Sequence, residues 1–321
     1  MIRLMNISSV LAILLSLGSF TFVESFGDNL KFNQETNAVE YSRDGTSDFE
    51  RHIQLGAGFL KNKQLENAIT EFDLAVKINP RAKLGYDYRG CVFAAIGESD
   101  KAIKDFTEII RIDASDMRAH LNRGDAYRAQ NKHLLALSDF DLYISSISTN
   151  SIAYLSRAAT LMALKRYTQA VFDCSNSLRI NTSNPSALTM RGCARSRLGD
   201  FAKALEDFNL AISLNPKYEE AFNQIGWLRA TCMDKNYRDR KEAVKFGILA
   251  CELSNWSNSR FLDTLAAAKA EAGDFESALN YQNMALSLQG ISDLDRLDME
   301  KRRSEYSNSK AHWDKASRLP E

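Results

Sequence analysis

Residues 121–130 read LNRGDAYRAQ, and the Arg-Gly pair inside them, Arg123–Gly124, also stands at Arg89–Gly90 and Arg191–Gly192. The spacings are 34 and 68 residues. Working outward, the glycine series is Gly56, Gly90, Gly124, Gly192 and Gly226, with Ala158 in the one vacant place. Twelve residues behind each of the first five slots comes an alanine: Ala68, Ala102, Ala136, Ala170 and Ala204. Sixteen behind comes an aromatic, at Phe72, Phe106, Phe140 and Phe208, with Cys174 as the exception. Small residues follow at Ala75, Ser177 and Ala211, and Pro80 and Pro216 close two units. Several series in one register are the signature of an internal repeat, and a repeat settles the architecture before local propensities do.

Within each unit, apolar and small residues recur at three- and four-residue intervals in two runs, the pattern of two amphipathic helices. Short polar stretches such as IGESD, RLGD and EAGD divide them. Glycine tolerates the left-handed turn that ends a helix, and the aspartate after it is expected to cap the next one. Each unit is therefore a helical hairpin. Gly or Ala in the first series lets its helices approach, and the aromatic fills the wedge to the next hairpin. One hairpin cannot bury its apolar face alone, so neighbours must stack. The fourth unit, with Ala158, Cys174, Ser177 and Thr182 in the diagnostic slots, reads as an underpacked joint.

This pattern resembles the tetratricopeptide repeat. The units are 49–82, 83–116, 117–150, 151–184, 185–218, 219–258 and 259–290, the sixth carrying extra residues in its loop, MDKNYRDRKE. The resemblance implies an all-α fold: a right-handed α-solenoid of about seven stacked helix-turn-helix hairpins. The tail 291–321 keeps Ile291, Leu294 and Leu297 at helical spacing, and 291–305 is expected to be a polar capping helix with a frayed end behind it.

The chain opens with Arg3, an apolar run from Ile7 to Val23, and VES at 23–25. This reads as a secretory signal peptide, residues 1–25, cut after Ser25, followed by a flexible lead-in over 26–48. The alternative is an uncut membrane anchor. The expected location is outside the cytoplasm, periplasmic or secreted, with membrane association only if the segment is retained. Lysine plus arginine number 41 and aspartate plus glutamate 41. Balanced charge argues against a nucleic-acid partner, which calls for a basic surface. The five scattered cysteines do not form a disulfide framework. Cys232 and Cys251 sit too far apart along their helices to be bridged.

No catalytic constellation emerges, and no cofactor or metal site. His52, His120, His133 and His312 have no second ligand at a metal spacing, and His52 and His120 occupy a packing slot shared with Tyr86, Tyr154 and Phe222. An arginine precedes the glycine slot at Arg89, Arg123, Arg157 and Arg191, and an acid precedes the aromatic slot at Glu71, Asp105, Asp139, Asp173 and Asp207. Counting levels from the turns pairs each acid with the arginine of the following unit: Glu71–Arg89, Asp105–Arg123, Asp139–Arg157 and Asp173–Arg191. That is a structural ladder, since charges between stacked helices persist mainly when paired. The alternative is an arginine row for a phosphate or carboxylate ligand.

The expected function is a non-enzymatic scaffold that holds a peptide or helix of a partner protein in a concave groove. The resemblance places these residues in that groove: Arg118, Leu121, Asn122, Asp125 and Arg128 in the third unit. The fourth contributes Leu155, Ser156 and Met162. The fifth contributes Thr189, Met190 and Arg197, and the sixth Asn223, Gln224 and Trp227. Family members that clamp a chaperone's C-terminal carboxylate use Lys, Asn and Arg where this chain has Ile53, Ala57, Tyr88, Arg118 and Asn122. Only Arg118 is of the right type, so that ligand is not implied. Two other readings stay open: a tethered envelope-assembly or secretion accessory, and an enzyme whose site the sequence does not reveal.

Overall fold

The computed structural model describes residues 30–33, 38–41 and 47–313. The signal segment lies outside them. Part of the stretch read as a lead-in pairs as a short antiparallel ribbon, β1 (Leu30–Asn33) with β2 (Ala38–Tyr41), Leu30 opposite Tyr41.

From Asp48 the described chain forms fifteen α-helices. The first three hairpins are α1 (Asp48–Lys61) with α2 (Leu65–Ile78), α3 (Lys83–Ala95) with α4 (Ser99–Ile112), and α5 (Met117–Ala129) with α6 (His133–Ser146). They form one compact unit, which ends at Thr149. A second begins at Asn150. It holds α7 (Ser151–Ala163) with α8 (Tyr167–Ile180), α9 (Pro185–Arg197) with α10 (Phe201–Leu214), and α11 (Glu219–Thr231) with α12 (Arg240–Leu253). The hairpin of α13 (Ser259–Glu271) and α14 (Phe275–Ser287) follows, then the single helix α15 (Asp293–Ser307). These are the seven hairpins of the repeat and the capping helix. In the second unit the first helices form a row, α11 packing against both α9 and α13.

The hairpin turns share one geometry. The residue seven after the glycine slot has a left-handed backbone in six hairpins: Lys63, Gly97, Asn131, Lys165, Gly199 and Gly273, with φ between 58° and 86°. The amide beyond it closes the helix end, Glu98 N–H to Phe93 O at 2.8 Å and Asp274 N–H to Lys269 O at 2.9 Å. Carbonyls left open by the helix end are satisfied in this way. Capping by the aspartate after glycine is realised at Asp274, which accepts from the Ser277 amide, but Asp200 makes no such bond.

Glycine and aromatic slots meet face to face. A Cβ added at Gly56 would lie 2.4 Å from the Phe72 ring, at Gly90 2.9 Å from Phe106, at Gly124 2.8 Å from Phe140 and at Gly192 2.4 Å from Phe208. A phenylalanine in the second helix therefore requires glycine in the first. The sixth hairpin solves the same problem with two glycines, a Cβ on Gly226 meeting the Gly247 backbone nitrogen at 3.1 Å. In the seventh, Ala266 stands opposite Gln282, both fully buried.

The fourth hairpin, read as an underpacked joint, departs from the pattern in both slots at once. Cys174 and Ala158 are both 0% exposed, and a methyl in the glycine slot leaves no room for a ring in the aromatic slot. The two departures from the pattern compensate one another. Cys174→Phe should therefore lower stability by about 1–3 kcal/mol, the cost of overpacking a filled core. Adding Ala158→Gly should recover most of that loss. Thermal midpoints of the two single variants and the double check this, and a neutral Cys174→Phe would restore the loose joint.

Candidate functional site

Each arginine of the row pairs with the acid before the aromatic slot of its own hairpin, not with that of the hairpin before it. Arg89 grips Asp105 through Nε at 2.9 Å and Nη2 at 2.7 Å. Arg123 grips Asp139 at 2.9 and 2.8 Å, Arg157 grips Asp173 at 2.8 and 2.7 Å, and Arg191 grips Asp207 at 3.0 and 2.7 Å. The expected partners were wrong because the turn lies about two residues earlier than the sequence suggested. With the turn at Gly97, Arg89 is eight residues before it and Asp105 eight after, so they stand at one level. The link to the preceding hairpin exists through another residue. Arg89 Nη1 reaches Asp73 at 2.6 Å, Arg123 Nη1 reaches Thr107 at 3.3 Å, and Arg191 Nη1 reaches Ser175 at 3.4 Å. Each of these three arginines thus ties three helices together. Desolvation raises the Asp105 pKa, and the Arg89 bonds oppose the rise.

Glu71, expected on Arg89, instead bonds His52 Nδ1 at 2.6 Å. His120 Nδ1 likewise meets Asp139 at 2.9 Å. These histidines are packing residues with a polar partner, which their shared slot with tyrosine did not reveal. An open cleft of about 500 Å³ lies beside Arg89, lined also by Tyr86, Phe93, Lys101, Lys104 and Glu108. Among the described residues no His, Cys, Asp and Glu side chains cluster as metal ligands. All five cysteines are unbridged thiols, and burial pushes the Cys174 and Cys193 thiols up to about 12.

The candidate groove residues fall on the first helices, at two depths. Leu121, Asn122, Thr189 and Asn223 are buried and form a floor. Asn122 bonds weakly to Cys91 Sγ at 4.0 Å, and the oxygens of Thr189 and Asn223 are buried without a hydrogen-bond partner. Arg118 and Arg197 are exposed, while Asp125, Arg128, Leu155, Ser156, Met162, Met190, Gln224 and Trp227 are half-buried. Arg128 pairs with Asp125 at 3.1 Å and Gln224 with Glu220 at 2.7 Å. The accessible face in the second unit is thus apolar at Leu155, Met162 and Met190, with Arg197 beside it.

Trp227 is not open. The Arg302 guanidinium of α15 lies 5.4 Å from its ring centroid, and the His312 ring lies 6.1 Å away. Arg302 also makes a bidentate pair with Asp263 on α13, both bonds 2.8 Å. Gln282 donates to the same carboxylate at 2.9 Å. Desolvation raises the Asp263 pKa, and Arg302 opposes it. The cap faces inward through Met299 and Tyr306, each 1% exposed, while Leu294 and Leu297 stand 71% and 64% exposed. Of the apolar face expected from Ile291, Leu294 and Leu297, only Ile291 packs against the core, from just ahead of the helix.

The residues behind the cap are also placed. Trp313 Nε1 donates to Glu271 Oε2 at 2.9 Å, and the Arg238 guanidinium lies 4.7 Å from the Trp313 ring centroid. His312 Nδ1 meets Glu305 at 2.7 Å. Asp263, Glu271, Arg238, Arg302 and Trp313 were all missed from sequence. Two signals pointed to them: the extra loop residues carrying Arg238, and a lone acid in the apolar run RFLDTLAAA.

Residues 89–151 and 185–218 match family models of the tetratricopeptide repeat. No curated protein matches the chain. Among solved structures, a tetratricopeptide repeat protein from Parabacteroides merdae is similar at a TM-score of 0.61 and 15% identity, covering 81% of this chain and 99% of its own. Pseudomonas aeruginosa PilF gives 0.54 and 19%, covering 65% and 92%. MamA from Desulfovibrio magneticus gives 0.52 and 13%, covering 54% and 98%. At these identities the likeness is one of fold.

Proposed function

We propose, from the premise that this chain is a tetratricopeptide-repeat protein, that its first helices hold an extended segment or a helix of a partner protein. An interaction scaffold is the function the repeats support. The observation that carries the finer reading is the row α7, α9, α11 with Met162, Met190 and Leu155 half-buried and Arg197 exposed beside them. Apolar anchors rimmed by a cation suit a partner segment with bulky apolar residues and an acid, the mode by which grooves take peptides and helices. The arginines of the ladder are engaged with acids and do not form a free anion-binding row. The charge balance of the chain supports a protein partner over a nucleic acid.

Affinity capture with the chain from residue 26 onward tests this. Met190→Glu with Arg197→Glu should remove the retained protein while leaving the melting curve in place. The reading fails if that variant captures normally and Phe172→Glu, on the second helix α8 and 65% exposed, abolishes capture instead. The proposed location is outside the cytoplasm, on the strength of Arg3, the apolar run and VES. N-terminal sequencing of the native protein should then begin at Phe26. An intact Met1 in the membrane fraction would favour the tethered accessory reading.

A further inference from the structure

The end of the first-helix row in the second unit holds an occupied site. Its walls are Trp227 on α11, Arg238 in the loop before α12, Glu271 at the end of α13 and Arg302 on α15. Its occupant is the segment His312–Trp313. We propose that this corner is a tryptophan-reading site whose resident ligand is the chain's own tail, and that a partner's tryptophan binds by displacing it. The proposal deepens the scaffold reading, because Trp227 belongs to the face assigned to the partner.

Three observations carry it. The first is complementarity. Glu271 accepts the indole N–H at 2.9 Å, and Arg238 lies over the indole face at 4.7 Å. A cation over an indole ring and an acceptor for its lone donor distinguish tryptophan from phenylalanine. The second is preorganisation. Arg238 already pairs with Glu271 at 3.4 Å and donates to the Cys232 carbonyl at 3.3 Å, and Arg302 is fixed on Asp263. The walls therefore stay paired when the tail leaves, and little reorganisation opposes exchange. The third is the shallowness of the clasp. Trp313 remains 49% exposed, whereas α15 ahead of it buries Met299 and Tyr306 to 1%. The cap is fixed and the tail only rests on it. A tail tethered by a few residues has an effective concentration in the millimolar range, so even a weak ligand occupies its own site.

The test uses the full chain and one defined probe, a fluorescent peptide of residues 305–313, EYSNSKAHW. Trp313→Ala should open the site and bind the peptide saturably at about 0.1 mM, a tenth of the roughly millimolar concentration the tether supplies. The unmodified chain should bind it about tenfold more weakly, because only the fraction with the tail released is competent. Glu271→Gln on the Trp313→Ala background should weaken the peptide, and so should a probe with phenylalanine for tryptophan. Equal binding by both chains, or none by either, would overturn the proposal. So would full binding by the phenylalanine probe. Failure here leaves the capture experiment untouched, since that tests Met190 and Arg197.

Discussion

Phe106→Ala should lower the stability of the first unit by about 3–5 kcal/mol, as the loss of a fully buried aromatic does. Phe106 is 1% exposed and packs on Gly90, which has no side chain to collapse into the space. On the Gly90 side the hole would be walled by backbone, which limits relaxation there and favours the upper part of that range. Position adds a second effect. Phe106 sits in the middle hairpin of its unit, in one core with Phe72, Tyr88, Val92 and Ile109. Stacked repeats are held by nearest-neighbour interfaces, and a weakened central member uncouples the two on either side. Urea unfolding should shift to lower concentration and also broaden. Ile78→Ala, at a side chain 47% exposed, should change stability by no more than about 0.5 kcal/mol. A loss below about 1 kcal/mol for Phe106→Ala would mean that the glycine slot does not depend on the ring.

That dependence is why so much of the fold is legible in the sequence. The period of 34 survives because glycine and phenylalanine sixteen apart touch, and neither can change alone. The exceptions follow the same rule, alanine with Cys174 and alanine with Gln282. Read as single residues they look like decay, whereas read as pairs each places a methyl on the first helix only where the second carries no ring. Side-chain partnership was less legible. A helix level can be counted only as well as the turn is placed, and an error of two residues displaced the arginines to the wrong acids by about 3 Å. The candidate groove divided into floor and rim for a related reason. Carried-over positions name a face, and depth on that face is set by neighbours in other hairpins. The corner around Trp227 could not be assembled from its two signals for a third reason. It joins a loop insertion, a helix end and a tail that share no period.

Arg302→Ala should cost about 3–5 kcal/mol, because it leaves the Asp263 carboxylate without its cation. The side chains of Arg302 and Asp263 are 12% and 8% exposed, so solvent cannot replace the lost partner. Gln282 remains as a donor, but a neutral amide does not offset the desolvation already raising the Asp263 pKa. Apart from this pair, α15 is held by the buried Met299 and Tyr306 and by Arg296, which donates to the Leu286 carbonyl at 3.2 Å, while Leu294 and Leu297 face outward. The cap should release, uncovering the run Phe261–Ala268 of α13, and hydrogen exchange should accelerate across α13–α15 before it does in α7–α10. Asp263→Leu combined with Arg302→Met should be less damaging than Arg302→Ala, because it removes the buried charge along with its partner. If Arg302→Ala stays within about 0.5 kcal/mol of the parent, the ion pair does not hold the cap and α15 is retained by packing alone. Because Arg302 also lies on the Trp227 ring, its loss disturbs the wall of the tail site. Variants that probe exchange at that site must therefore leave Arg302 in place and act on Trp313 and Glu271.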